Sequence, residues 1–196
     1  MTLGDFYFST IESEIKMKNI LLLIDMQVGF TQDPVTNQLV HKTKELLDKK
    51  LFDAVIATQF VNAKNSIYEQ LMNWTDCSTE QEIAIRSELL PYATEVVTKT
   101  IYSCISPNFL QRLCQINDGA YPKKIFLAGV DTDSCVLKTA VDLFENNIRP
   151  IVLTGFCYSS GGQKFHDAGI VCMQRLLGEK QLIDGTNFNQ KTINEL

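Results

Sequence analysis

Three residue types at the ends of predicted strands have the chemistry of a nucleophilic site. Asp25 directly follows one predicted strand, Lys99 ends a second, and Cys135 follows a third. The carboxyl ends of the strands in an open parallel α/β sheet meet at one edge, where such sheets bind ligands. A carboxylate, an ammonium group and a thiol at that edge would serve as base, cation and nucleophile.

The segment around Cys135 changes from a strand pattern to a helix pattern. Residues 125–128 are apolar and end at Gly129, and apolar residues recur at helical spacing from Asp133 onward. With Thr132 or Asp133 as the cap, Cys135 is predicted at a helix N-terminus, where unpaired N–H groups and the helix dipole favour the thiolate. A structural cysteine on the buried helix face is the alternative, because free cysteine is among the most buried residue types.

Three segments resemble, in order and spacing, the motifs of the isochorismatase-like cysteine hydrolases. They are LLLIDMQVGF at 21–30, VTKTIYSCI at 97–105 and LAGVDTDSCVLKTAVD at 127–142. The third motif is the most specific of the three, and the resemblance extends over residues 18–181.

That resemblance implies a fold, a site and an activity. The fold is α/β, a three-layer α/β/α Rossmann-like doubly wound sheet of six parallel strands. Asp25, Lys99 and Cys135 form the catalytic triad, and a cis peptide bond between Val130 and Asp131 aims the N–H groups of Asp131 and Cys135 at a developing oxyanion. The activity is hydrolysis of a small amide, ureide or carbamoyl C–N bond through a thioester-type acyl-enzyme. If Asp131 faces the cleft, it favours a cationic or hydrogen-bond-donating substrate.

The residue pattern along the chain agrees with that fold, because strands and helices alternate as in a parallel sheet with right-handed crossovers. The predicted strands cover residues 19–24, 54–58, 94–99, 125–128, 150–154 and 181–183. Apart from the helix of Cys135, the predicted helices cover residues 35–50, 64–70, 79–86, 106–117 and 161–177. Residues 1–16 are predicted to be an N-terminal extension, 17–183 one domain, and 184–196 a polar C-terminal tail.

Candidate pocket residues lie near the predicted strand ends. Gln59 occupies the end of the second strand, and four aromatic residues are candidates for the pocket wall: Phe30, Phe60, Trp74 and Tyr102. Ordinary packing is the alternative role for each aromatic residue.

The metal-binding pattern of the nicotinamidase-type members is absent from this sequence. Those members carry an aspartate and two histidines after the second strand, whereas residues 57–70 (ATQFVNAKNSIYEQ) contain no histidine. The chain has two histidines, His41 and His166, and neither lies near that strand end. We therefore predict no metal and no other cofactor.

Other roles for Cys135 remain open. It could pair with His166 as a papain-like dyad, or act in thiol redox chemistry with Cys104 or Cys157 as the resolving partner. A third possibility is a non-catalytic relative that binds a small molecule without turning it over.

Composition limits the partners and the setting. A chain of 196 residues with 45% hydrophobic residues suits one domain, and its net charge of −5 argues against binding to nucleic acids or anionic membranes. A small-molecule substrate is expected instead. Six scattered cysteines, without a signal peptide or an apolar run of spanning length, indicate a reducing cytoplasm. The resemblance implies a homo-oligomer, a dimer or a tetramer, formed through residues 54–90 or 155–177.

Overall fold

A single parallel sheet organises the protein. The computed structural model describes residues 17–196, so the predicted extension at 1–16 lies outside the described residues. The sheet has the order β3-β2-β1-β4-β5-β6, with parallel pairing throughout. The strands are β1 (Ile20–Ile24), β2 (Ala54–Phe60), β3 (Glu95–Lys99), β4 (Lys124–Gly129), β5 (Arg149–Cys157) and β6 (Leu182–Ile183). The order proceeds outward from β1 in both directions, which confirms the predicted doubly wound α/β sheet.

Helices connect the strands and cover both faces of the sheet. They are α1 (Pro34–Asp48), α2 (Ile67–Met72), α3 (Glu80–Ile83), α4 (Pro107–Ile116), α5 (Leu137–Glu145), α6 (Gln163–Leu177) and α7 (Gln190–Asn194). The start of α4 follows from its sequence, because the Ser106 side chain accepts a hydrogen bond from the N–H of Phe109 and Pro107 occupies the first helical position.

Strand β1 is buried on both faces of the sheet. Side chains alternate between faces along a strand, so Leu21 and Leu23 pack in one core with α1 and α7. Ile20, Leu22 and Ile24 pack in the other core with α4, α5 and α6. All five side chains are essentially inaccessible to solvent. The residue that follows β1 is therefore held at the centre of the molecule.

Residues 184–196 pack against the domain, which differs from the predicted polar tail. Phe188 and Ile193 are buried in the core that contains α1. Two cations also donate to carbonyl groups of this segment, Lys124 to Ile193 at 3.2 Å and Arg149 to Leu196 at 2.7 Å. Three large apolar residues in a polar stretch, Phe188, Ile193 and Leu196, are a weak sequence signal, but they are enough to cover one edge of the core.

The chain enters α5 through a π-helical turn, Thr132–Val136, which contains Cys135. Neither Thr132 nor Asp133 caps the helix as predicted, because Asp131 occupies the cap position and makes no capping hydrogen bond through its side chain. The Thr132 hydroxyl instead lies 2.9 Å from Nδ1 of His166 on α6. Single π-helical turns inside helices are frequent at functional sites.

Helix α6 packs directly on the backbone of that turn. A Cβ atom at Gly169 would lie 2.8 Å from both the Cα and the N of Asp133. Only a glycine permits this approach, because the opposing atoms belong to the backbone and cannot move aside as a flexible side chain would.

We expect the Gly169→Ala substitution to lower the free energy of unfolding. Overpacking costs about 1–3 kcal/mol, which exceeds the roughly 1 kcal/mol of helix propensity that alanine adds. Urea unfolding measures the change, with Cys172→Ala on the exposed side of the same helix as the control. The control should change stability by less than about 0.5 kcal/mol. A Gly169→Ala protein as stable as the wild type would contradict the close packing.

Candidate active site

The structure brings Asp25, Lys99 and Cys135 together at the carboxyl edge of the sheet. Nζ of Lys99 donates to Oδ2 of Asp25 at 2.6 Å and to Sγ of Cys135 at 3.4 Å. Its third hydrogen bond goes to the carbonyl of Ile101 at 3.1 Å. The side chains of Lys99 and Asp25 are 3% and 1% exposed, and Cys135 is 5% exposed. The three groups therefore form a buried unit in which one ammonium group contacts both a carboxylate and a thiol.

Thr58, on β2, holds Asp25 in place. Its hydroxyl donates to Oδ1 of Asp25 at 2.6 Å, and it accepts from the backbone N–H of Asp25 at 3.0 Å. Asp25 itself adopts the left-handed conformation, with φ of 47°. Thr58 was not predicted as a site residue, although a lone hydroxyl in an otherwise apolar strand was an available signal.

Burial and the neighbouring charges set the protonation states of the site. Burial alone would lower the pKa of Lys99, but the negative charge of Asp25 and the hydrogen bonds to Asp25 and Cys135 outweigh it and raise that pKa. Burial, and then the negative charge of Asp25, raise the pKa of the Cys135 thiol well above its ordinary value, although Lys99 opposes them. The resting group is therefore a thiol. This corrects the expectation of a thiolate at a helix N-terminus, because burial outweighs the field of the first helical turn.

The Val130–Asp131 peptide bond is cis, as the resemblance implied. Within residues 17–196, the N–H of Asp131 has no hydrogen-bond acceptor. The Asp131 carboxylate accepts from the N–H and the hydroxyl of Ser160, at 2.7 and 2.8 Å. Burial raises the pKa of Asp131 to about 6, although the hydrogen bonds from Ser160 lower it.

A cavity of about 480 Å³ opens above Cys135, and Asp131 faces it. Four of the five predicted pocket residues line this cavity: Phe30, Phe60, Trp74 and Tyr102. The Phe30 and Trp74 rings stack with their centroids 6.0 Å apart. This volume suits a small-molecule ligand.

Gln59, the fifth predicted pocket residue, does not line the cavity. Its amide donates to the carbonyl of Ile83 at 2.9 Å and accepts from the hydroxyl of Thr98 at 3.3 Å. Side chains alternate along β2, so Thr58 and Phe60 share the face toward the site while Gln59 points the other way.

Six further side chains line the cavity that were not predicted as pocket residues: Tyr68, Met72, Asp76, Asp133, Ser134 and Ser160. Tyr68 and Met72 are four residues apart on α2, so they share one helix face. Oδ2 of Asp76 accepts a hydrogen bond from Nε1 of Trp74 at 3.1 Å. The four-residue spacing of Tyr68 and Met72, close to the predicted pocket residue Trp74, was the sequence signal for these two residues.

Cys135 and His166 do not form the alternative dyad. That ring stacks on Tyr158 at 5.3 Å, contacts Thr132, and does not line the cavity. Among the described residues, no group of three or more His, Cys, Asp or Glu side chains is arranged to hold a metal ion. Within residues 17–196, no helix is both long enough and apolar enough to cross a membrane.

We expect Lys99→Met to lower the free energy of unfolding by about 3–5 kcal/mol, because it leaves the Asp25 carboxylate buried without its cation. The double variant Asp25→Asn/Lys99→Met should lose less stability than Lys99→Met alone, since it buries no charge. Chemical denaturation measures both changes. Lys44→Met, which breaks an exposed ion pair with Asp48, is the control and should cost about 1 kcal/mol or less. Equal losses for Lys99→Met and Lys44→Met would argue against a buried pair.

Solved structures with the same fold cover nearly the whole chain. An isochorismatase-like hydrolase from Alkaliphilus metalliredigens has a TM-score of 0.72 and 18% identity, over 91% of this chain and 98% of that one. A pyrazinamidase of Pyrococcus horikoshii, in complex with zinc, has a TM-score of 0.69 and 18% identity, over 84% and 97%. An N-carbamoylsarcosine amidase from Thermoplasma acidophilum has a TM-score of 0.68 and 20% identity, over 85% and 95%. At these identities the likeness shows the fold alone.

Sequence comparison identifies the family. Among proteins of curated function, none matches this chain. The model of the isochorismatase domain, however, matches residues 19–182, which include Asp25, Lys99 and Cys135. The chain therefore belongs to the isochorismatase family.

Proposed function

We propose that this protein is a cysteine-dependent hydrolase of a small amide, ureide or carbamoyl C–N bond. The observation that carries the proposal is the Lys99 ammonium group, which contacts the Asp25 carboxylate and the Cys135 sulfur at the floor of a cavity. Support also comes from relatives that share the fold and are named as amidases. Asp25 is the base, Cys135 the nucleophile, and Lys99 the cation that orients both.

The first half of the reaction forms an acyl-enzyme. Asp25 accepts the thiol proton as the sulfur of Cys135 attacks the substrate carbonyl, and the C=O electron pair moves to oxygen. Because the pKa of the thiol is raised, proton transfer and attack occur together. The N–H groups of Asp131 and Cys135 donate to the oxyanion, an interaction that contributes about 3–4 kcal/mol per donor. The C–N bond then breaks, and Asp25 returns the proton to the departing ammonia or amine.

The second half hydrolyses the thioester. Asp25 accepts a proton from water as its oxygen attacks the acyl carbon, the C–S bond breaks, and the proton returns to the Cys135 sulfur. The net reaction consumes one water molecule and releases an acid together with ammonia or an amine. Lys99 stays charged throughout, because its pKa is raised above the ordinary value. Besides the substrate and one water molecule, these steps use only groups of this chain.

The redox alternative has less support. Cys104 and Cys157 are both buried, and burial raises the pKa of each thiol to about 12. A resolving cysteine needs an accessible thiolate. The binding-only alternative gives no role to the contacts of Lys99 with both Asp25 and Cys135.

The cellular compartment and the oligomeric state are also proposals. All six cysteines are unpaired, which suits a reducing compartment such as the cytoplasm. A dimer or tetramer remains the expectation from the family. The exposed apolar side chains of Ile67, Leu71 and Met72 on α2 lie within the surface of residues 54–90 expected to take part.

Ammonia release from a panel of small amides, ureides and carbamoyl compounds tests the proposed reaction. We expect turnover of at least one class, and a loss of about 10⁴-fold or more in Cys135→Ala, because the variant has no nucleophile. Cys172→Ala, which removes an exposed thiol, should retain full activity. No ammonia release from any compound of the panel, or turnover that survives in Cys135→Ala, would contradict the proposal.

The pH dependence of alkylation tests the role of Asp25. Its charge raises the pKa of Cys135, so Asp25→Asn should shift the iodoacetamide alkylation profile of Cys135 to lower pH. Turnover should fall in the same variant, because the base is lost. Mass spectrometry follows each cysteine, with Cys172 as the internal reference. An unshifted profile, or a shift to higher pH, would contradict the assigned electrostatics.

A further inference from the structure

The cavity above Cys135 is acidic. Three carboxylates line it, Asp76, Asp131 and Asp133, and among the residues of the described chain that line it there is no lysine, arginine or histidine. The ammonium group of Lys99 lies beneath Cys135 and is paired with the Asp25 carboxylate at 2.6 Å. The charges below the floor cancel each other, so the walls determine the sign of the potential.

Asp133 presents an acceptor that the protein does not use. Its Oδ1 atom is buried, yet it receives no hydrogen bond from any group in residues 17–196. Buried carboxylate oxygens normally have donors. The packing of Gly169 against the Asp133 backbone holds this residue in place, two positions before the nucleophile. No neighbouring donor of the described chain therefore neutralises this oxygen, and Asp133 is one of the carboxylates that line the cavity.

Aromatic rings form the rest of the wall and also suit a cation. Trp74 stacks on Phe30, and its indole N–H donates to Asp76 at 3.1 Å, which places a carboxylate at the edge of the ring. Nζ of Lys99 lies 5.1 Å from the ring centroid of Phe60, so one ring of the wall already faces a cation. Cations bind favourably over aromatic faces, and tryptophan is the strongest partner.

We propose that the substrate is a cationic amide, in which an ammonium, quaternary ammonium or guanidinium group lies between the aromatic wall and the three carboxylates while the carbonyl lies at Cys135. This proposal rests on the proposed function and narrows it. An amide with a carboxylate at its far end, such as a carbamoyl amino acid, would meet three like charges and no opposite one.

Charged thiol reagents measure the preference of the cavity without any turnover. Trimethylammonioethyl and sulfonatoethyl methanethiosulfonate, used at the same pH and ionic strength, both convert a thiol to a mixed disulfide and release methanesulfinate. We expect the cationic-to-anionic rate ratio at Cys135 to exceed the ratio at exposed Cys172 by about tenfold or more. Asp133→Asn should reduce that excess. Asp118→Asn, which removes an exposed carboxylate that is not part of the cavity wall, should leave it unchanged.

A matched set of amides then tests the substrate class. The set is trimethylammonio-butanamide, its neutral tert-butyl isostere, and glutaramate, which carries a carboxylate. Faster turnover of the cation, by about tenfold over the isostere, supports the proposal. Equal or faster turnover of the neutral or the anionic amide overturns it.

The two experiments separate the two proposals. Equal labelling ratios at Cys135 and Cys172, or no labelling of Cys135 by the cationic reagent, overturn the cation site even if some amide is hydrolysed. A cation preference in labelling, with no amide turned over, supports the cation site and counts against hydrolysis as the function.

Discussion

The buried ion pair between Asp25 and Lys99 is the interaction on which the rest of the site depends. Two charges removed from water cost several kcal/mol each, and the cost is offset only if both partners are held at hydrogen-bond distance. The two cores on either side of β1 hold Asp25 in place, and Thr58 orients the Asp25 carboxylate. Lys99 divides its three hydrogen bonds among Asp25, Ile101 and Cys135. The geometry that stabilises the pair therefore also positions Cys135, the proposed nucleophile.

Close packing, rather than helix polarity, positions Cys135. Its π-helical turn lies against α6, which Gly169 allows to approach the backbone of Asp133, and a contact between Thr132 and His166 links the two elements further. The same burial raises the pKa of the thiol. In the proposed reaction a nucleophile that rests as a thiol needs a base, and Lys99 holds the Asp25 carboxylate on the same ammonium group that contacts the sulfur.

Charge is distributed differently on the floor and on the walls of the cavity. Below the cysteine, opposite charges cancel, which suits a neutral carbonyl group. Around the opening, Asp76, Asp131 and Asp133 carry like charges among aromatic rings. We propose that these wall residues select the substrate, and they lie on two connections rather than in the strands: Asp76 between α2 and α3, and Asp131 and Asp133 between β4 and α5.

Local patterns in the sequence determined the six parallel strands and the three residues that end or follow them, because apolar runs of strand length and the turns after them are signals within a few residues. Only the tertiary structure decided which side chains meet. Gln59 was predicted in the cavity, but the alternation of β2 places Thr58 and Phe60 on that face instead. The protonation of Cys135, the orientation of Asp131 and the packing of residues 184–196 depend on burial and on contacts between distant parts of the chain. No local pattern records those contacts, since each arises only when the sheet and its helices have assembled.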